Sequence, residues 1–388
     1  MVQMNIWKHF NTLLTCVCPH LRIDRHRFYA ILLTRVNRFL IREEFWMNGK
    51  RVTSQNVADL AGVSRTTVSF VLNDVKQVNI TTETRRKVLK AVEQLDYIPN
   101  ASAQALASRK AKAIGLVMTR SPQYISSDSF LPLILGGLLE VIKRHKLGLL
   151  IEWVDPGRQM RIYRELVQAK HIDGMILLTP RLDDEGLRAL EDFDVPIVLM
   201  GELPDSNCYS VDVDNRAAAQ KAAKHLLDLG HKKIACITNA PLPYSSATQR
   251  LQGYKDALLK ADISPDEALI RCADFDPKSG YQCMKSLLDS RAVFSAAFVA
   301  SDNVAIGAIS ALRETGLSVP EDVSIVGFDD IPWAQYADPP LTTIHMPAQQ
   351  LAQEACFLLM DLIQGIISEE KHVQLESELV LRNSCKKV

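Results

Sequence analysis

From Val52 onward the apolar positions fall into helical spacing. Val57, Ala58, Leu60 and Ala61 make a first stripe, and Thr53 is placed to cap the helix that carries it. Ala61-Gly62-Val63 reads as a tight turn, with Gly62 supplying the left-handed backbone that ends a helix. Ser64 then caps a second helix, Arg65 to Leu72, in which Val68, Val71 and Leu72 follow the i, i+3, i+4 rule and face inward. Its other face carries Arg65, Thr66, Ser69 and Phe70. A third helix is predicted from near Thr81, with Glu83 where the helix dipole favours a carboxylate. Val88, Ala91, Val92 and Leu95 form its inner stripe, and Arg85, Arg86, Lys87 and Lys90 make its outer side basic. Two short helices on a glycine turn, followed by a basic third, predict an all-α helix-turn-helix domain over 51–98.

The pattern changes at Pro99. Residues 99–110 are a short Ala-rich linker, capped by Asn100 and too short to hold a helix alone in water. Beyond it, apolar β-branched runs recur at Ile114–Met118, Leu149–Val154, Met175–Leu178, Ile197–Met200, Ile234–Thr238, Ala296–Val299 and Val323–Val326. Amphipathic stretches such as Leu131–Lys146, Arg216–Leu229, Thr248–Lys260 and Val304–Thr315 lie between them. Such alternation predicts an α/β body of parallel sheets covered by helices. Residues 111–388 are too many for one such sheet, so two doubly wound lobes are expected, near 111–213 and 214–342. The cleft at the carboxyl ends of their strands is the expected ligand site.

Charge sharpens this division. The 388 residues balance 45 basic against 45 acidic side chains, yet residues 1–50 carry +5, residues 51–110 carry +4 and the remainder −9. A basic front on an acidic body fits an anionic partner at one end only. No apolar run is long enough for a membrane span. The eight cysteines show no C-x-x-C pair, and Cys236 and Cys356 sit in apolar segments, so reduced thiols and a cytoplasmic location are expected. Residues 1–50 lack clean periodicity and a secretory pattern; they read as an extension, with Met47 a candidate start.

The segment Val52-Thr53, then Val57-Ala58-Asp59-Leu60-Ala61-Gly62-Val63-Ser64-Arg65-Thr66-Thr67-Val68-Ser69-Phe70-Val71-Leu72-Asn73, resembles the signature of the LacI/GalR family of bacterial transcription regulators. Tyr97-Ile98-Pro99-Asn100 resembles that family's linker motif, and the likeness extends over 51–384. The resemblance implies that the second helix enters the major groove of an operator. Arg65 and Thr66 would then approach base edges, while Thr53, Ser64, Thr67, Ser69 and Asn73 grip phosphates. Phe70 stands where the family usually has Arg and can only pack on a thymine methyl or the backbone. The loop from Asp74 to Ile80 is about two residues longer than usual. The linker, with Asn100 and Gln104, would fold on operator binding, and paired Leu106 side chains would wedge into the minor groove.

For the body, the resemblance implies that 343–371 rejoin the first lobe and 372–382 the second. Arg250, within Arg250-Leu251-Gln252-Gly253-Tyr254, matches the family's effector-contacting arginine. Ser301-Asp302 and Asp329 follow or close strands on the cleft side, and a guanidinium with two carboxylates suits vicinal hydroxyls. Phe130, Tyr124 or Trp333 would stack on an apolar sugar face, although Gly201-Glu202 departs from the family's usual Asp-Arg. No leucine heptad tail follows Leu381, so the family's tetramerising helix is not expected.

Catalytic machinery is not evident. There is no G-x-G-x-x-G after a strand, no phosphate-binding loop, no H-E-x-x-H and no G-x-S-x-G. Asp329-Asp330 point apart on an extended strand end, and the histidines, including His145, His225 and His231, read as surface or helix-end residues. The expectation is a non-enzymatic repressor without cofactor or metal. It would bind a pseudo-palindromic operator as a homodimer, away from membranes, under control of a carbohydrate-like effector acting as inducer or co-repressor. The alternative is a solute-binding protein of a transporter, which leaves 51–108 unexplained.

Overall fold

The computed structural model describes residues 52–73, 75, 78–100, 110–120, 122–155, 157–190 and 195–388. The extension with its Met47, Gln104 and Leu106 therefore lie outside the described residues, as does part of the Asp74–Ile80 loop. The chain divides into two compact units, meeting between Arg109 and Lys110.

The first unit holds three helices: α1 (Ser54–Ala61), α2 (Arg65–Leu72) and α3 (Thr82–Leu95). Each begins on a hydroxyl cap. Thr53 Oγ1 accepts from the Asn56 N–H while Asn56 Oδ1 accepts from the Thr53 N–H at 2.9 Å, a reciprocal box. Ser64 Oγ accepts from the Thr67 N–H at 3.1 Å, and Thr81 Oγ1 from the Thr84 N–H at 3.2 Å. Gly62 ends α1 at φ +66°. Val57, Ala58, Val68, Val71, Val88 and Ala91 make the buried core. Leu60, read as part of the inner stripe, is instead exposed, because the next helical turn carries it past the 100°-wide apolar face.

The second unit contains two six-stranded sheets. The first sheet runs β11–β5–β4–β3–β1–β2, with β1 (Ala113–Met118), β2 (Gly148–Trp153), β3 (Gly174–Leu178), β4 (Ile197–Met200), β5 (Tyr209–Val213) and β11 (His372–Leu375), all paired parallel. The second runs β12–β10–β9–β8–β6–β7. Its members are β6 (Ile234–Thr238), β7 (Ile270–Cys272), β8 (Ala296–Val299), β9 (Ser324–Asp329), β10 (Thr342–His345) and β12 (Glu378–Val380). Only β12 is antiparallel, on β10. Every residue of β3, β4, β6, β8 and β9 is buried, the mark of parallel sheets covered on both faces.

The covering helices are α4 (Leu131–His145), α5 (Gln159–Gln168), α6 (Glu185–Leu190) and α11 (Ala348–Ile363) on the first lobe, and α7 (Asn215–Asp228), α8 (Ser245–Lys260), α9 (Pro277–Asp289) and α10 (Asp302–Glu314) on the second. Three pairs pack at glycine. A Cβ on Gly137 of α4 would stand 2.3 Å from the Gln349 carbonyl of α11, and one on Gly253 of α8 would stand 2.1 Å from the Arg216 carbonyl of α7. Gly280 and Gly307 let α9 and α10 approach in the same way.

The chain crosses between lobes three times, after β5, after β10 and after β11. The expected return points need moving. Residues 343–345 stay with the second lobe, because β10 pairs with β9. Residues 372–375 belong to the first, because β11 pairs with β5. His231 is also not a surface residue: its ring is buried, bonded to Ser295, Ser324 and the Lys386 carbonyl, and so pins the chain's last residues to the second lobe. The six described cysteines, Cys236 and Cys356 among them, are free thiols, and burial pushes the Cys356 thiol up to about 11.

Candidate functional site

In the first unit the cap at Ser64 fixes where α2 starts and hence what it presents. Val68 and Val71 are buried, which turns Arg65 and Thr66 outward into solvent and leaves Ser69 and Phe70 half-buried. Thr67 is held by Ser64, hydroxyl to hydroxyl at 2.9 Å, and Asn73 donates to Ser69 Oγ at 3.2 Å. Thr53 and Asn100 are exposed, and Arg86, Lys87 and Lys90 line the outer side of α3. The unit thus offers one exposed guanidinium at the start of a short rigid helix, flanked by hydroxyls: groups that donate to base edges and phosphates.

In the second unit a cavity of about 80 Å³ lies between the two sheets, lined from both lobes. Its walls are the residues that follow parallel strands. Thr179 and Pro180 follow β3, Gly201 follows β4, Asn239 follows β6 and Ser301 follows β8, while Asp329 ends β9. Arg250 enters from α8, Asp212 from β5 and Asn215 from the start of α7, and Met346 follows β10.

Arg250 organises the floor. Its Nε donates to Asn215 Oδ1 at 2.9 Å, and its Nη1 donates to the Ala300 carbonyl at 2.7 Å and to Asp329 Oδ1 at 3.2 Å. Its guanidinium lies 3.7 Å above the Phe328 ring. Burial holds the Arg250 guanidinium below its usual range, opposed by Asp329 and Asp212. Burial likewise pushes Asp329 and Asp212 each up to about 6, with Arg250 pulling the other way. Asp329 also has φ +110°, a strained backbone for a residue other than glycine, which the surrounding contacts keep in place.

The two lobes touch beside the cavity. Tyr244 Oη of the second lobe donates to the Thr119 carbonyl of the first at 2.9 Å, and the Leu182 N–H donates to the Pro243 carbonyl at 2.7 Å. Arg181 lies 4.9 Å over the Tyr244 ring and Arg120 lies 5.1 Å over Phe275; the two rings meet edge to face at 4.9 Å. Small-molecule sites span roughly 300–1,000 Å³. The 80 Å³ between the lobes here is smaller than that.

Of the five residues expected in this site, Phe130, Arg250, Ser301 and Asp329 line it. Asp302 does not. It is fully buried, its carboxylate accepting from Thr343 Oγ1 at 2.6 Å and from the Ile331 N–H at 3.0 Å, because the first residue of α10 turns back over its own sheet. Burial and the neighbouring Asp329 raise it well above the usual carboxylate range. Trp333 is 62% exposed and is not part of the lining, and the Tyr124 side chain lies outside the described residues.

Sequence reasoning missed Arg120, Asp128, Asp212, Asn215, Asn239, Asn303 and Phe275. Asp128 pairs with Arg120 and accepts the Phe130 and Leu131 N–H groups at the start of α4. Asn239 was the most accessible of these: it directly follows a strand that had been placed correctly.

Comparison with known proteins agrees with both units. Residues 53–100 match the family described as bacterial regulatory proteins, lacI family, and residues 223–385 match a periplasmic binding protein-like domain. The chain is 34% identical over 338 residues to the HTH-type transcriptional regulator CelR of Thermobifida fusca, covering 86% of this chain and 98% of the relative. It is 33% identical over 343 residues to the transcriptional repressor PurR of Haemophilus influenzae, covering 87% and 99%. A solved CelR–cellobiose complex matches at 34% identity and a TM-score of 0.66, over 86% of this chain and all of that one. The lac repressor dimer bound to operator and the anti-inducer ONPF matches at 30% identity and a TM-score of 0.76, over 87% of this chain and all of that one.

Proposed function

We propose, from the premise that this chain belongs to the lacI family of bacterial regulatory proteins, how its two units divide the work of a DNA-binding transcriptional regulator. The protein is a repressor that binds a pseudo-palindromic operator as a homodimer, and a small carbohydrate-like effector controls it. The observation that carries this reading is the pairing, on one chain, of an outward guanidinium at the capped start of α2 with a two-lobed cleft floored by buried Arg250 and Asp329.

Arg65, at the first turn of α2, donates two parallel N–H bonds to a guanine, and Thr66 reads the neighbouring edge. Thr53, Ser64, Thr67, Ser69 and Asn73 set the register on phosphates, and Phe70 packs on a thymine methyl or the backbone. Asn100, Gln104 and Leu106 continue the contact into the minor groove, where Leu106 opens a base step. In the cleft, Asp329 and Ser301 take hydroxyl protons, Arg250 holds Asp329 in place and Phe130 packs against the apolar face of the ring. The cleft is a recognition site rather than a catalytic one. Its carboxylates are engaged structurally: Asp329 by the Arg250 guanidinium, and Asp212 by the Asn215 side chain and the Val213 N–H.

Coupling follows from a site lined by both lobes. An effector that prefers one arrangement of the lobes shifts the protein toward it, and operator affinity changes by that preference and no more. The test is selection of bound duplexes from random DNA, with and without cellobiose and other sugars. An inverted repeat should emerge, and its binding should change with one of the sugars. Enrichment of no sequence contradicts the reading.

A further inference from the structure

The chain enters the first lobe at Lys110–Lys112, and one side chain holds it there. Sheet pairing begins at Ala113, opposite Gly148 of β2, so the N–H groups of Ala111 and Lys112 lie outside the ladder. Both donate to a single carboxylate. Asp173 Oδ1 accepts from the Ala111 N–H at 2.7 Å, and Asp173 Oδ2 accepts from the Lys112 N–H at 2.7 Å. The Asp173 N–H donates in turn to the Ala113 carbonyl at 2.8 Å, and the Gly148 N–H donates to the Lys112 carbonyl at 2.8 Å. Lys112 itself takes a left-handed backbone, φ +53°.

Asp173 is itself firmly placed. It stands between Ile172 and Gly174, both buried, and Gly174 opens β3 opposite Ile114 of β1. A Cβ on Gly174 would stand 2.9 Å from Leu359 Cδ1 and 3.1 Å from the Pro196 carbonyl, so this backbone is packed from two sides. Hydrogen bonds to an ionised carboxylate are stronger than neutral ones. Without the carboxylate both N–H groups turn to water, and the fixed chain starts at Ala113 instead of Ala111. The linker before Lys110 is too short to hold a helix alone, so it must order against a fixed end when it meets the operator. Each freed residue has to be ordered again at that moment, at a cost of about tenfold in affinity.

Resting on the operator reading above, we infer that Asp173 is a positioning residue for the linker: its carboxylate fixes the segment through which the linker joins the body, and specific operator binding depends on that hold. Asp173 acts through Ala111 and Lys112 and needs no contact with DNA. Binding to random DNA, which does not call on an ordered linker, does not depend on it.

The experiment uses the full-length protein, with the duplex obtained by selection and a random duplex at one salt concentration. Asp173→Ala should bind the selected duplex on the order of tenfold more weakly and the random duplex unchanged. Asp173→Asn, which keeps one carbonyl acceptor, should fall between the alanine variant and the unaltered protein, and it carries the same test if the alanine variant fails to fold. A double-mutant cycle separates positioning from general damage. Three glycines inserted between Arg109 and Lys110 loosen the same junction, and in that background the substitution at Asp173 should cost little more. Full affinity for the selected duplex in the variants, equal loss on both duplexes, or additive losses in the cycle would each overturn the inference and leave the operator reading intact. An unaltered protein that prefers no duplex overturns the operator reading itself.

Discussion

At the scale of single residues, the decisive ones are held by local chemistry that can be tested in isolation. Arg65 is exposed at the first turn of a helix whose start Ser64 fixes, and Arg65→Ala should cost about 1–3 kcal/mol at one base pair of each half-site and relax the choice of base there. Competition binding with operators altered at single positions reads this directly; a uniform loss on every sequence would place Arg65 on phosphate. Asp329 gives a pH signature. Its folded carboxyl is pushed up to about 6 from 3.8, so between those values the folded state holds a proton that the unfolded chain has released. Its contribution therefore falls as pH rises through that window, by an amount on the order of 3 kcal/mol. Asp329→Asn should remove this share, so the wild-type-minus-variant difference in urea stability should change between pH 4 and 7; a flat difference would contradict the burial argument. Residues of this kind were unevenly legible. Asp329 announces itself by ending a strand, Ser301 by following one and Arg250 by its motif, whereas Asp128 and Phe275 lie in loops and Asp212 inside β5, positions that no local pattern singles out.

At the scale of elements, periodicity and caps carried most of the reading. The starts of α2 and α3 follow from Ser64 and Thr81, and the buried strands β1, β3, β4, β6 and β8 stand within a residue of their apolar runs. Short edge pieces such as β7, β11 and β12 gave no signal, because three or four half-exposed residues acquire strand character only from the neighbour they pair with. For the same reason the return of 372–375 to the first lobe was misplaced: β11 is defined by its pairing with β5. Helix contacts offer a matched test. Gly136 and Gly137 are adjacent in α4, yet a Cβ on Gly136 meets only the Gln349 side chain at 3.5 Å, whereas one on Gly137 meets backbone at 2.3 Å. Gly136→Ala should leave thermal stability unchanged or raise it by up to about 1 kcal/mol. Gly137→Ala should lower it by roughly 1–3 kcal/mol, as overpacking does. Equal effects in thermal unfolding would mean that α4 and α11 are not in close contact. In the linker, Leu106→Ala should weaken operator binding while sparing binding to random DNA, since only the specific complex pays for opening a base step. Equal loss of both would refute the wedge.

At the scale of the whole molecule, the charge division and the domain order agree: the net positive charge lies before residue 111, and the cleft is formed by residues of the net-acidic remainder. Tyr244, Phe275, Arg120 and Arg181 join the two lobes beside the cleft, so a ligand that favours one lobe arrangement acts through these contacts. The most direct measurement is the equilibrium affinity of the full-length protein for its selected duplex, against random competitor at physiological salt, before and after addition of the active sugar. The account predicts a preference of about 10³-fold or more for the selected duplex. It also predicts that the sugar changes this affinity by a factor equal to the one by which the duplex changes sugar affinity. Equal affinity for selected and random DNA, whatever sugar is supplied, would contradict it.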